Sequence, residues 1–301
     1  MKSSKSLTNI AFKFQTIKTY LILLFLFTGN NGFTSNYQLE TTRLKSTAGA
    51  GVASLLIDEA TILNPAPMAF FNIASFYIQR SDQTTTTNEN GMSKPINDSE
   101  HISFIASDSK GILKGSASYQ KFNETNFSRK RWAVALASPI GKSSAIGINF
   151  RKTKDEENSN LSEYTQVILG LSHVLDESLS FGLVLIDPLN KKVTDNKGII
   201  GLQYSYKHLL SLIFDIGGDY KEGIEETLSY KTAIQIKVFE DFYFRMGLFN
   251  DKSVLENGNG IGVGWVQPKL SIDFAMTTKK TNKDPLEKLF KETSFSLSYR
   301  F

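Results

Sequence analysis

Hydrophobic and polar residues alternate one by one along most of the chain from about residue 70 to the end. In the last nine residues, Thr293 to Phe301, every second side chain is apolar and the others are serine, threonine or arginine. Because successive side chains of a β-strand point to opposite faces, this pattern gives one apolar face and one polar face. Similar runs occur at 132–136, 146–150, 179–185, 200–206, 210–216, 232–238, 242–248, 261–265 and 270–276. The pattern predicts an all-β chain.

Two all-β architectures fit this alternation: a soluble sandwich and a transmembrane barrel. The pattern marks fourteen candidate strands between residues 70 and 301, and the polar connections between them alternate between long and short. An antiparallel outer-membrane barrel has short turns on one rim and longer loops on the other, whereas a sandwich has no reason to sort its loops in this way. We therefore predict a 14-stranded antiparallel transmembrane β-barrel over residues 70–301. The long connections are expected at 81–99, 123–128, 155–161, 188–196, 221–226, 251–258 and 278–292.

The polar faces of these strands hold charges that a barrel would turn towards its lumen. They are Arg151, Lys231, Lys237, Arg245 and Asp273. One interpretation is that they favour an anionic head group such as a carboxylate. The other, which we favour, is that they pair with Asp58 and Glu59 of the segment that precedes the barrel.

The beginning of the chain has the pattern of an export signal. Four lysines precede the apolar run from Tyr20 to Phe27, and the first acidic residue is Glu40. A basic stretch followed by a short apolar run is typical of a secretory signal peptide, which we place at residues 1–32; the alternative is a buried helix of a cytosolic domain. The 301 residues carry a formal net charge of +4, so removing the four lysines leaves a neutral chain. A nucleic-acid partner is therefore not expected.

Residues 33–69 do not alternate and form a unit of their own. Gly49 and Gly51 lie among alanines and permit close backbone packing. Asp58 and Glu59 are polar caps for short helical turns, and Asn64-Pro65 favours a turn.

The order of these residues resembles a known family. A Gly/Ala-rich stretch, an acidic pair followed by alanine, and N-P-A before the first strand are similar to the amino-terminal hatch of the long-chain fatty-acid transporter (FadL) superfamily, which includes PorV-like proteins. The matching residues are Gly49, Gly51, Asp58, Glu59, Asn64, Pro65 and Ala66. The resemblance implies a monomeric barrel whose lumen is filled by a hatch over residues 33–69. It also implies that a hydrophobic substrate leaves sideways through a gap in the wall.

The final strand and several aromatic residues suggest roles in assembly and anchoring. The alternating apolar set at the end of the chain resembles the carboxy-terminal signal that the barrel-assembly machinery recognises: Phe295, Leu297, Tyr299 and Phe301. We expect Trp132, Tyr164 and Trp265 in the aromatic girdles at the two membrane interfaces.

No pattern in the chain predicts catalysis, a metal or a cofactor. The absence of cysteine excludes disulfides, thiolate metal sites and a cysteine nucleophile. Ser172 and His173 are adjacent, but adjacent strand residues face opposite sides and cannot readily pair. The acidic runs at 155–157 and 225–226 are interpreted as solvated loop charges rather than a calcium site. We therefore expect a protein that is not an enzyme.

Three functions remain, all at the outer membrane. The first is passive uptake of a small hydrophobic or amphipathic compound by a FadL-type barrel. The second is a non-transporting PorV-like scaffold or secretion accessory. The third, least favoured, is a barrel lipid hydrolase. Expected partners are outer-membrane lipid, the barrel-assembly machinery and a hydrophobic small-molecule ligand.

Overall fold

The computed structural model describes residues 39–89, 92–189, 196–221, 223–281 and 288–301. The predicted signal peptide and residues 33–38 of the predicted hatch lie outside these ranges. Fourteen antiparallel strands form one closed barrel. Their bounds are β1 Ala74–Glu89, β2 Met92–Asp108, β3 Lys114–Glu124, β4 Phe127–Ile140, β5 Ser144–Glu157, β6 Asn160–Val174, β7 Leu179–Ile186, β8 Lys197–Tyr206, β9 Leu210–Asp219, β10 Ser229–Lys237, β11 Phe242–Asp251, β12 Glu256–Val266, β13 Leu270–Thr281 and β14 Lys288–Arg300. The predicted all-β class, antiparallel barrel and strand number are confirmed.

The barrel closes where the first strand pairs with the last. The register of β1 and β14 runs from Ser75 opposite Arg300 to Thr87 opposite Lys288. The final residue is held as well, because Phe301 and Ala74 exchange backbone hydrogen bonds of 3.0 and 3.1 Å. Closure pairs the backbone groups that an open sheet edge would expose, which is the condition for strands to cross a bilayer.

The two faces of the wall differ in the way the alternation predicts. Most side chains that face the lumen are small or polar, and apolar side chains cover the outside. The exposed apolar set includes Phe76, Phe104, Val134, Phe150, Leu169, Phe181, Ile200, Phe214, Met246, Ile261, Phe274 and Phe295. This belt of apolar side chains continues around the barrel and would be unfavourable in water, so the outer face is suited to hydrocarbon.

One expectation about the connections is wrong. The stretch predicted as the longest loop, residues 81–99, is mostly strand, since β1 continues to Glu89 and β2 begins at Met92. Likewise β5 and β6 meet through a turn at Asn158 and Ser159. Beyond the apolar belt, the strands of a hairpin can be polar on both faces while their backbones stay paired. The polar composition of residues 81–99 therefore did not indicate a loop. We refer to this end as the extended rim and to the opposite end as the short-turn rim.

The described residues before the barrel lie inside it. This lumenal segment, Leu39 to Ile73, contains helix α1 (Thr42–Ser46) and a 3-10 helix (Ala66–Phe70), which contact the inner faces of β11–β14 and β3–β6, respectively. The first strand therefore begins at Ala74 rather than at residue 70. A second short helix, α2 (Ile224–Thr227), precedes β10. None of the helices in the described ranges is long and apolar enough to span a bilayer.

Candidate functional site: the obstructed lumen

A belt of glycines on the inner wall makes room for the lumenal segment. A β-carbon at Gly182 would overlap the backbone of Val52, and one at Gly247 would overlap the backbone of Thr47. The same holds for the backbone of the segment at Gly147 and Gly260. Only glycine allows two backbones to approach this closely without a bulge in the wall. The wall and the lumenal segment are therefore complementary in shape at these glycines.

Wall side chains also hold the backbone of the segment by hydrogen bonds. The Asp215 carboxylate accepts from the amides of Gly51 at 2.7 Å and Val52 at 3.1 Å. The Ser180 hydroxyl donates to the carbonyl of Ala53 at 2.9 Å. A carboxylate that accepts two backbone amides makes bonds about twice as strong as neutral ones.

Asn64 closes a turn in the lumenal segment, as its position before proline predicts. Its Oδ1 accepts from the amide of Ala66 at 3.0 Å, and its Nδ2 donates to the carbonyl of Val52 at 2.8 Å. It thereby ties two distant parts of the segment together. The neighbouring carbonyl of Thr61 accepts from Asn149 at 2.8 Å and from Arg151 at 3.1 Å. Arg151 thus faces the lumen, as expected, and is committed to the segment.

The expected pairing of Asp58 and Glu59 with cations of the wall is wrong. Glu59 accepts from Arg43 of the same segment at 3.0 Å. Asp58 accepts from the hydroxyls of Ser75 at 2.7 Å and Ser298 at 2.9 Å. Spacing along the chain could not reveal this, because the segment folds back and brings its own arginine to Glu59.

The charges predicted to face the lumen do so, but they have other partners. Lys231 and Lys279 flank Glu40 at 3.8 and 3.9 Å. Burial raises the pKa of the Glu40 carboxyl, but the charges of Lys279, Lys231 and Lys45 outweigh burial and hold the pKa below its ordinary value.

The remaining predicted charges lie nearer the short-turn rim. Arg245 and Asp273 form an ion pair at 2.5 Å, and Lys237 lies over the ring of Tyr243 at 5.9 Å. Most of the predicted cations thus have a partner. Arg151 and Lys231 contact the lumenal segment, and Arg245 pairs with Asp273 of the wall. An anionic head group would have to displace these contacts.

A buried lysine that the sequence did not single out anchors α1. The side chain of Lys45 is 1% exposed, donates to the hydroxyl of Ser81 at 2.6 Å and contacts the carboxylate of Glu292. The ring nitrogen Nδ1 of His101 lies 3.4 Å away. Glu292 belonged to a predicted loop, so no local pattern could have joined it to a lysine 247 positions earlier.

A cavity of about 460 Å³ lies beneath the segment on the side of the short-turn rim. Its roof includes Arg43, Ser54 and Glu59, and the turn residues Asp176 and His208 mark its mouth. Its walls combine polar and charged side chains with apolar ones. The first include Gln203, Arg245 and Asp273, and the second include Ile57, Phe71 and Ile213. Water from this rim can therefore reach the underside of the segment, while the segment obstructs a straight path through the barrel.

One apolar part of the lumen lies on the inner faces of β6, β7 and β8. Ile168, Val184 and Ile199 on β6 to β8 pack against Val52 of the segment, with Leu63 beside them. The strand in the middle of this patch, β7, has seven residue pairs with each neighbour, fewer than any other strand pair in the described residues. An apolar lining thus coincides with the least extensive pairing of the wall, which we call the β7 seam.

Two of the three predicted interfacial aromatics lie on the outer face, and one does not. Trp132 is 44% exposed in the outer belt, and Trp265 lies on the outer face near the short-turn rim, 6.5 Å from the ring of Phe242. Tyr164 faces the lumen, where its hydroxyl donates to Asp155 at 3.4 Å, so its predicted girdle position is wrong. The predicted assembly signal lies on the outer face of β14, where Phe295, Tyr299 and Phe301 are exposed.

The histidines do not form a catalytic triad in the described part of the chain. Ser172 is buried on the lumenal face and His173 lies on the opposite face, as expected from adjacent strand residues. His173 instead contacts the hydroxyl of Ser144, its partner across β5 and β6, at 2.7 Å. No carboxylate contact to this imidazole occurs among the described residues.

The closed wall and the apolar outer belt define the architecture of an outer-membrane-type barrel, with residues 39–73 held in its lumen. No protein-family model matches the chain, and no curated protein matches it significantly. Solved structures do. The CymD monoaromatic hydrocarbon channel aligns with a TM-score of 0.67 at 11% identity over 89% of this chain and 99% of that one.

Two further structures show the same likeness. The Pseudomonas putida toluene transporter TodX aligns with a TM-score of 0.65 at 10% identity, over 91% of this chain and 98% of its own. A Pseudomonas aeruginosa FadL homologue aligns with a TM-score of 0.61 at 12% identity, over 90% and 99%. The chain therefore has the FadL-like barrel fold, which confirms at the level of fold the resemblance seen in residues 49–66.

Proposed function

We propose that this chain is an outer-membrane barrel that allows passive entry of a small hydrophobic or amphipathic compound. The observation that carries the proposal is the apolar patch of Ile168, Val184 and Ile199 at the β7 seam, where the strand pairing of the wall is shortest. A hydrophobic compound can use an apolar contact surface beside the shortest strand pairing of the wall, whereas a polar solute needs an open aqueous route. The fold shared with hydrocarbon channels supports the same conclusion.

In this proposal the extended rim faces the outside and the short-turn rim faces the periplasm. The lumenal segment acts as a hatch that blocks straight passage. The compound enters from the extended rim, meets the apolar patch above Val52, and leaves between strands at the β7 seam. Lateral exit needs a transient loss of strand pairing, and this is least costly where the fewest hydrogen bonds must open.

Disulfide locks across two different strand pairs test the route. The chain has no cysteine, so an introduced pair has no competitor. Leu171→Cys with Leu183→Cys locks β6 to β7, and Ala117→Cys with Val134→Cys locks β3 to β4; each pair is directly opposite. Proteoliposomes would be assayed for uptake of toluene and of a long-chain fatty acid, with and without reductant.

We expect uptake by the wild type, inhibition by the β6–β7 lock that reductant reverses, and little effect of the β3–β4 lock. Equal uptake by the oxidised and reduced β6–β7 variant would contradict the exit route. Uptake no faster than in protein-free vesicles for either compound would contradict transport of these compounds.

A scaffold or secretion accessory is the second candidate. The continuous strand pairing and the many hydrogen bonds between wall and segment favour it, because a scaffold has no need of a wall that opens. A deletion strain distinguishes the two functions. Normal uptake of hydrophobic compounds together with the loss of a secreted protein would favour the scaffold, and the reverse result would favour transport.

A further inference from the structure

Three lysines lie side by side across three neighbouring strands on the outside of the barrel. The register places Lys121 of β3 directly opposite Lys130 of β4, which is directly opposite Lys154 of β5. Side chains directly opposite in an antiparallel pair have β-carbons about 4.5–5.5 Å apart, and like charges at such positions are destabilising. A fourth lysine, Lys152, follows on the same face of β5.

The lysine row (Lys121, Lys130 and Lys154) lies at the edge of the apolar belt. Tyr119 and Trp132 are opposite each other one step closer to the short-turn rim, about 7 Å along the strands, with ring centroids 5.4 Å apart. The row is thus immediately beyond an aromatic pair of the kind that marks a membrane interface.

The local charge is positive, although acids lie on one side of the row. Glu163 lies 3.4 Å from Lys152 and 3.6 Å from Lys154. Within the described ranges, Lys121 and Lys130 have no carboxylate at ion-pair distance. Glu156 follows Lys154 on the same outward face of β5, so two carboxylates lie among four ammonium groups and the patch carries a net charge of +2. Surface lysines that serve only solubility are normally interspersed with acids, and they need not face each other in register.

We propose that the lysine row binds the phosphate groups of a lipid head group in the outer leaflet, with the acyl chains against the apolar belt beside Trp132. Phosphate oxygens accept hydrogen bonds from several ammonium groups at once and relieve their mutual repulsion. A row at the belt edge matches the depth of head groups, which a free soluble anion would not require. The proposal rests on the membrane location and is independent of transport.

A binding titration that uses Trp132 as the reporter tests this. The chain has two tryptophans, so Trp265→Phe leaves Trp132 alone beside the row. In this background the detergent-solubilised barrel would be titrated with diphosphorylated lipid A and with the same glycolipid after phosphatase treatment. The test variant is K121Q/K130Q/K154Q. The control, K142Q/K207Q/K269Q, removes three exposed lysines from the short-turn rim.

We expect a saturable change of Trp132 fluorescence with the phosphorylated glycolipid and at least tenfold weaker binding by the test variant, since three cations near the head group are lost. The control and a charge-retaining K121R/K130R/K154R variant should bind like the wild type. Equal affinity of the test variant, equal affinity for the dephosphorylated glycolipid, or an equal loss in the control would overturn the proposal. Competition by millimolar inorganic phosphate as strong as that by the glycolipid would indicate a site for a free anion and overturn it as well. Heat-modifiable gel mobility confirms that each variant is folded.

Discussion

The carboxylate of Asp215 should be a main fixation point of the lumenal segment. In Asp215→Ala the buried amides of Gly51 and Val52 lose their acceptor. An unsatisfied buried amide costs about 1–3 kcal/mol, so the two together should destabilise the docked segment by about 2–6 kcal/mol. Even the lower figure raises the population of the released segment about 30-fold. The wall itself should remain intact, since the backbone of β9 keeps its partners on β8 and β10.

Cysteine accessibility measures this release directly. Val52 is fully buried, so Val52→Cys in the cysteine-free chain should react with a maleimide only when the segment leaves the wall. We expect labelling at least about 30-fold faster in Asp215→Ala, and no change in the control Asp82→Ala, which alters an exposed carboxylate on the outer face. Equal labelling rates with and without Asp215 would refute the assignment of this residue as an anchor.

Three further predictions concern the wall, the terminus and pH. Gly182→Val places a side chain against the backbone of Val52 and should raise ion conductance in planar bilayers. Gly198→Val, where a β-carbon has ordinary contacts, should not raise it. Equal conductance of the two variants would contradict the claim that the glycines of the wall make room for the segment. Deleting Phe301 removes the last backbone pair with Ala74 and should reduce the fraction of barrel that shows heat-modifiable gel mobility; an undiminished fraction would count against an assembly role. The depressed pKa of Glu40 means that its charge stabilises the docked segment above pH of about 4.5 and that this contribution is lost as the pH falls through the depressed value. Pepsin cleavage of the segment should therefore increase at the acid end, and Glu40→Gln should flatten this dependence; an unchanged pH profile in that variant would contradict it.

The strands were predictable where one face of the wall meets lipid. In β14 the outward residues from Phe295 to Phe301 are apolar and the inward ones are polar, so the register follows from the sequence. The same strand begins with Lys288-Leu289-Phe290-Lys291, which does not alternate, and there the sequence predicted a loop. Backbone pairing continues beyond the membrane without any change in hydrophobicity, so strand ends could not be placed.

The lumen was less predictable for the same reason. Tyr164 shares the inward face of β6 with Ile168, whose neighbours on the outer face are also apolar, so alternation does not separate the two sides. The anchor between Lys45 and Glu292 joins residues at opposite ends of the chain and becomes visible only when the barrel closes. The fit between Gly182 and Val52 depends on the path of the segment, which alternation along a strand does not show.

The central claim is that a small hydrophobic compound crosses this barrel and leaves through its wall. The most direct test is toluene uptake by proteoliposomes that contain the Leu171→Cys/Leu183→Cys variant, compared before and after reduction. The account predicts slow uptake while β6 and β7 are linked and wild-type uptake once the disulfide is reduced. Uptake at the wild-type rate in the oxidised protein, with the link confirmed by mass spectrometry, would contradict it.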